Sequence, residues 1–187
     1  MTTPVISLQA DWQKASMLNL PAVIAPWLLE EASLTAKLKR HSQLFQLQVL
    51  HESMQPVPAF LTALFPDTPD NSSALLREVL LSCDNQPCVY AQSWLPKTTL
   101  ASLQPLANMG QRPLGDYIFR QENLLRGEIE ACQVDISLPQ VASGQSQLCW
   151  ARRSVFQLQQ QPFLVAEVFL PAIARLKQNS SSLAIAK

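Results

Sequence analysis

Twice in this chain, two long apolar runs are separated by no more than three polar residues. The runs 74-ALLREVLLSC-83 and 87-PCVYAQSWLP-96 flank Asp84, Asn85 and Gln86, and 147-QLCWARRSVFQL-158 and 162-PFLVAEVFLP-171 flank Gln159, Gln160 and Gln161. Joints this short connect only antiparallel neighbours, because parallel strands need a crossover of a dozen residues or more. Asp and Asn are turn formers, so the first joint reads as a β-hairpin and the second as another tight one. Two further strands come from other signals. In 43-QLFQLQVL-50, Phe45, Leu47 and Val49 alternate with Gln46 and Gln48, and 123-NLLRGEIEACQVD-135 is a further long run. The expectation is a sheet of six mostly antiparallel strands.

Helical signals fall between the strands. Pro26 opens WLLEE, and Ser33 caps LTAKLKR. The segment 54–73 reads as a loop carrying a short helix. Residues 98-TTLASLQPLANMGQ-111 read as a helix ending near Gly110 despite Pro105, and Pro113 takes the first position of a second helix in PLGDYIF. The class is therefore α+β, with helices expected on one face of the sheet. The chain has 187 residues, which fits one domain over residues 1–176. The polar, serine-rich segment 177–187 reads as a disordered tail, and 137–146 as a polar loop.

Fourteen basic residues balance fourteen acidic ones, which argues against a general nucleic-acid binder or a polybasic membrane-surface protein. No run approaches the ~18 apolar residues of a membrane span, and the first residues lack a basic-then-apolar secretory pattern. The expected location is the cytoplasm, and nothing in the pattern marks an obligate interface, so a monomer is expected. Cys83, Cys88, Cys132 and Cys149 show neither CxxC spacing nor a neighbouring His, so they read as free, apolar-packed thiols and no metal site is expected. His41 and His51 flank the first strand without a nucleophile motif beside them. The four glycines form no phosphate-binding loop.

Glu167 is the one charge within PFLVAEVFLP. Alternation puts it on a face with Phe163, Val165 and Phe169, while Leu164, Ala166, Val168 and Leu170 line the other. Neither face gives it a route to water. Arg77 has the same difficulty, sharing a face with Leu75, Val79, Leu81 and Cys83. Burying either alone costs several kcal/mol. Two arrangements resolve this. Arg77 pairs internally with Glu78, Glu167 or a carbonyl, an attraction of about 4 kcal/mol at ~4 Å and an effective dielectric near 20. Otherwise the two line a pocket, where Arg77 offers a fork to a carboxylate and Glu167 meets a hydroxyl or acts as a base. Spacing leaves these level. Arg152 and Arg153 are adjacent in their strand and point to opposite faces; either one is solvated and the other lies near the site, or both are surface arginines, which is the favoured reading.

The pieces 27-WLLEEASLT-35, 76-LREVLL-81, the strand closed by Pro96, 113-PLGDYIF-119, 126-RGEIE-130 and 167-EVFLP-171 occur in an order that resembles the bacterial chorismate lyase family. The resemblance implies a six-stranded antiparallel sheet and an enclosed site under two helical flaps. It implies conversion of chorismate to 4-hydroxybenzoate and pyruvate, the first step of ubiquinone synthesis, with no cofactor. Arg77 would hold the ring carboxylate, Glu167 the ring hydroxyl, and Leu114 would pack on the ring from one flap. The segment ASLT would supply the other flap, with Leu34 standing where a Met occurs in the family, a conservative change. Gln92 stands where an Arg is expected, removing a positive charge from the second anion contact. Two other readings of the same residues are a ligand-sensing domain, as in transcription regulators of this fold, and a structural protein with a solid core between Arg77 and Glu167. Residues 1–40 are too poor in basic residues for a helix-turn-helix.

Overall fold

The computed structural model describes residues 7–65, 73–139 and 146–176. The proposed tail 177–187 and most of the loop 137–146 lie outside those residues. In chain order the elements are β1 (Gln13–Lys14), α1 (Ala25–Leu28), α2 (Leu34–Arg40), β2 (Phe45–Pro56), α3 (Ala59–Thr62), β3 (Ser73–Cys83) and β4 (Gln86–Pro96). There follow α4 (Lys97–Ser102), α5 (Gln104–Ala107), α6 (Leu114–Ile118), β5 (Leu124–Arg126), β6 (Glu130–Ile136), β7 (Gln147–Leu158) and β8 (Gln161–Phe169). All pairings are antiparallel, in the order β1-β6-β7-β8-β4-β3-β2, with β5 beside β7. The last strand in sequence, β8, thus lies inside the sheet between β7 and β4.

Both short joints are two-residue turns. Asp84 and Asn85 have φ of 50° and 63°, and Gln159 and Gln160 have 51° and 64°, the left-handed pair that matches strand twist in a hairpin. Asp84 also accepts the Gln43 and Leu44 backbone N–H groups at 2.8 and 2.9 Å, fastening the start of β2 to the turn. Glutamine has no special preference for this conformation, so the β7–β8 pairing imposes it.

The sheet has eight strands, not the expected six. The run 123–135 divides in two because residues 127–129 lie opposite only Ser154 and Val155 on β7, a bulge that interrupts the ladder. Gly127 sits at the bulge, where its N–H reaches the Val155 carbonyl at 2.8 Å. A Cβ there would come within 3.0 Å of that same oxygen. The eighth strand, β1, is two residues long and pairs with β6. The helix expected over 98–111 is also two, α4 and α5, broken at Leu103 with Pro105 in the first turn of α5. Pro113 is the N-cap of α6 rather than its first residue.

Two buried layers sandwich the sheet. On one face Trp27 and Leu28 of α1 and Leu34 and Leu38 of α2 pack on Val79, Leu81, Val89 and Phe169. Beside them Leu103, Leu106 and Ile118, from the α4–α6 region, pack on Leu95, Phe156 and Phe163. The helices are not confined to that face: Leu61 of α3, with Leu8 and Phe65, covers Leu76, Trp94, Leu164 and Ala166 on the other. This double cover explains why β3 and β8 are apolar on both sides. Edge strand β2 keeps the half-exposed alternation expected of it.

Candidate active site

The face under α1, α2 and α6 is not completely filled. A cavity remains, lined by Leu34 and Thr35 from α2, Pro113, Leu114 and Ile118 around α6, and Arg77, Arg126, Arg152 and Glu167 from the sheet. It holds about 50 Å³ for the centre of a water-sized sphere, several times what one water needs. The four residues singled out from the sequence, Leu34, Arg77, Leu114 and Glu167, all line it.

Registry places the polar groups. Arg77 lies opposite Ser93, which lies opposite Val165. Glu167 is the next residue along on the same face of β8. Arg77 and Glu167 are therefore two strand spacings apart, roughly 10 Å across the sheet, with the cavity between. They do not pair with each other. Arg77, 3% exposed, forms an ion pair with Glu52 on the neighbouring strand. Its Nη2 donates to the Gly110 carbonyl at 2.7 Å and to that of Arg112 at 3.3 Å. Its fork is thereby fixed to the segment leading into α6.

Glu167 has a different partner, and here one expectation is overturned. Arg152 is not a surface residue but 2% exposed, and its Nε donates to Glu167 Oε2 at 2.6 Å. Its Nη1 donates to the carbonyls of Leu28 at 3.0 Å and Glu30 at 2.6 Å, the open end of α1. Arg153 points the other way, pairing with Glu130 at 2.7 Å and lying over the Trp12 ring. The β7–β8 turn is two residues long, so counting back from Leu158 and forward from Gln161 sets Arg152 opposite Glu167. That signal was present in the sequence.

Arg126 carried no assigned role from the sequence. From β5 its Nε donates to Ser154 Oγ at 3.1 Å, and its Nη1 to the Glu30 and Glu31 carbonyls at 2.9 and 3.0 Å. Burial first, and then the Arg152 guanidinium beside it, push its pKa down to about 10, still far above neutrality.

Gln92 touches the cavity wall, but its side chain is turned to the opposite face. There it donates to the Tyr90 hydroxyl at 3.0 Å and accepts from Trp94 Nε1 at 2.8 Å. Glu78, 1% exposed, accepts from Tyr90 in the same cluster.

The helices above the cavity touch each other. A Cβ on Gly115 would lie 3.1 Å from Thr35 Oγ1 and 3.3 Å from Ser33 Oγ, so glycine permits α6 to approach α2. Ser33 caps α2 as expected, accepting from the Ala36 N–H at 3.2 Å. Lys39 and Asp116 add a bridge between the two helices at 2.5 Å. The cysteines are free and buried; burial pushes Cys132 up to about 12 and Cys149 to about 11. Among the described residues no helix is long and apolar enough to cross a membrane.

Three comparisons bear on this arrangement. Among solved structures, the chain resembles PhnF of Mycobacterium smegmatis at 11% identity and TM-score 0.59, over 76% of this chain and 65% of that one. Its effector domain alone matches at 13% identity and TM-score 0.57, over 75% and 89%. These likenesses concern the fold. Among curated proteins, a probable chorismate pyruvate-lyase of Pseudoalteromonas translucida is 47% identical over 91% of this chain and 97% of its own length. A chorismate pyruvate-lyase of Hamiltonella defensa is 32% identical over 87% and 86%. The model of the family described as chorismate lyase matches residues 6–178. With that match across nearly its whole length, the chain belongs to the chorismate lyase family.

Proposed function

We propose that this protein eliminates pyruvate from chorismate, leaving 4-hydroxybenzoate, as a monomer of the cytoplasm. The observation that carries the reading is a cavity between Arg77 and Glu167, set roughly 10 Å apart across the sheet in a member of this family. A para-substituted ring with an anionic end and a hydroxyl end matches that spacing. Arg77 holds the ring carboxylate by charge-assisted hydrogen bonds, and Glu167 meets the ring hydroxyl. Leu34 and Leu114 pack against the ring from above.

In chorismate the enolpyruvyl ether sits on the carbon next to the hydroxyl-bearing one. Loss of the hydrogen from the hydroxyl-bearing carbon and cleavage of the ether C–O bond make the ring aromatic. The departing enolpyruvate takes up a proton to become pyruvate. The reaction is redox-neutral, and aromatisation supplies much of its driving force. What this chain adds is orientation and a preorganised, largely dry charge environment. Glu167, ion-paired with Arg152, is the base nearest the hydroxyl end.

In this reading α2 and α6, which line the cavity, act as two flaps over the bound ring. Product release then limits turnover, as in other enzymes with closing elements. The test is incubation with chorismate while following 4-hydroxybenzoate absorbance and pyruvate together. Equimolar appearance of both is expected. Formation of neither, or of pyruvate without the aromatic acid, would overturn the reading.

A further inference from the structure

The three guanidiniums at the cavity are not equally balanced. Arg77 has Glu52 and Arg152 has Glu167. Among the described residues no carboxylate lies within ion-pair range of Arg126, whose hydrogen bonds go to a hydroxyl and two carbonyls. Its Nη2 donates to none of the described residues. Arg126 and Arg152 also share the Glu30 carbonyl as acceptor, at 2.9 and 2.6 Å. That fixes Arg126 beside the Arg152–Glu167 pair, on the side away from Arg77. Burial first, and then the Arg152 guanidinium beside it, lower its pKa to about 10 against the smaller opposing pull of Glu167, Glu31 and Glu30, an arrangement that an incoming anion relieves.

Resting on the lyase reading, we infer that Arg126 is the binding residue for the second carboxylate, that of the enolpyruvyl group, and so sets the preference for dianionic over monoanionic ring acids. With the ring hydroxyl at Glu167, the ether oxygen leaves the adjacent carbon and its carboxylate extends past the hydroxyl end, where Arg126 lies. This assignment also accounts for Gln92. Its amide is committed to Tyr90 and Trp94 on the other face, so position 92 is not where this chain receives the second anion.

The experiment is calorimetric titration of wild type, Arg126→Gln and Arg126→Lys with 4-hydroxybenzoate and with 3-(carboxymethoxy)-4-hydroxybenzoate, which adds a second carboxylate beside the hydroxyl. Arg126→Gln should weaken the dianion by about 10- to 100-fold, the range for a lost hydrogen bond between charged groups. It should leave 4-hydroxybenzoate within about threefold, and Arg126→Lys should recover part of the loss. Retained 4-hydroxybenzoate affinity also reports an intact fold. Equal losses for both ligands would mean that Arg126 only holds the Glu30–Glu31 turn, and no loss for either would mean that it faces no anion. Both overturn the inference. Conversion of chorismate by wild type is scored separately: failure there removes the lyase reading, whereas an active wild type with undiscriminating variants removes only the role of Arg126.

Discussion

The two faces of the sheet both bury polar side chains, often from adjacent residues of the same strand, and they satisfy them in different ways. On one face Glu78, Tyr90, Gln92 and Trp94 hydrogen-bond among themselves, with Leu76, Leu80 and Ala166 packed around them. On the other, one residue away, Arg77, Arg152 and Arg126 reach out of the sheet to the carbonyls of Gly110, Leu28 and Glu30 and surround a cavity. A buried polar cluster stabilises a unique packing when its groups are satisfied. One that ties sheet charges to the covering segments around an opening is arranged for something that enters. The comparison therefore makes opposite forecasts for two sets of side chains a few ångströms apart.

The largest effect is expected at Glu167. Glu167→Gln removes the carboxylate at the hydroxyl end, and kcat with chorismate should fall by about 10²- to 10⁴-fold, the range for losing a positioned acid–base group. Rates are set per folded molecule, because Arg152 loses its counter-charge and the variant is destabilised as well. Next, Arg77→Met should weaken 4-hydroxybenzoate binding by about 10- to 100-fold in a titration. Unchanged affinity would place the ring carboxylate elsewhere.

The opposite face should behave in reverse. Tyr90→Phe takes a donor from buried Glu78 and should cost about 1–3 kcal/mol in urea unfolding, with kcat/KM per folded molecule within about threefold of wild type. A large catalytic loss there would erase the distinction between the faces. The smallest effect is expected at the α1–α2 junction. Burial alone would raise the Glu30 pKa, but the Lys37 ammonium at 3.1 Å, with the Ala32 N–H, outweighs it and holds the carboxyl below 4.5. A folded-state pKa below the unfolded one adds stability that is present above pH ~4.5 and is lost as pH falls through the depressed value. Glu30→Gln should remove that part of the acid dependence in unfolding curves taken from pH 6 downward.

Much of the framework was readable from residues close in sequence. The Asp84–Asn85 turn and the short joint at Gln159–Gln161 mark two hairpins, and the absence of a polar face around Glu167 and Arg77 required a covered sheet. The elements that escaped were those set by distant partners. A two-residue β1 has no periodicity to detect. The bulge at 127–129 exists because β7 contributes two residues where the other strand contributes three. Leu34, Arg77, Leu114 and Glu167, singled out from the sequence, line the cavity. Arg152 followed from hairpin counting but was obscured by its neighbour Arg153, since alternation says only that one of the two turns inward. Arg126 depends on the approach of β5 to β7 and of the Glu30 carbonyl, contacts that no local pattern encodes. Gln92 is the converse case: strand parity sends its side chain to the closed face, whatever charge a relative carries there.

The most direct test of the central claim is the crystal structure of the protein with 4-hydroxybenzoate bound. The account predicts the ring beneath Leu34 and Leu114, with its carboxylate on the Arg77 guanidinium and its hydroxyl on Glu167, each within about 3 Å. A ring bound in the reverse sense, or outside this cavity, would contradict it.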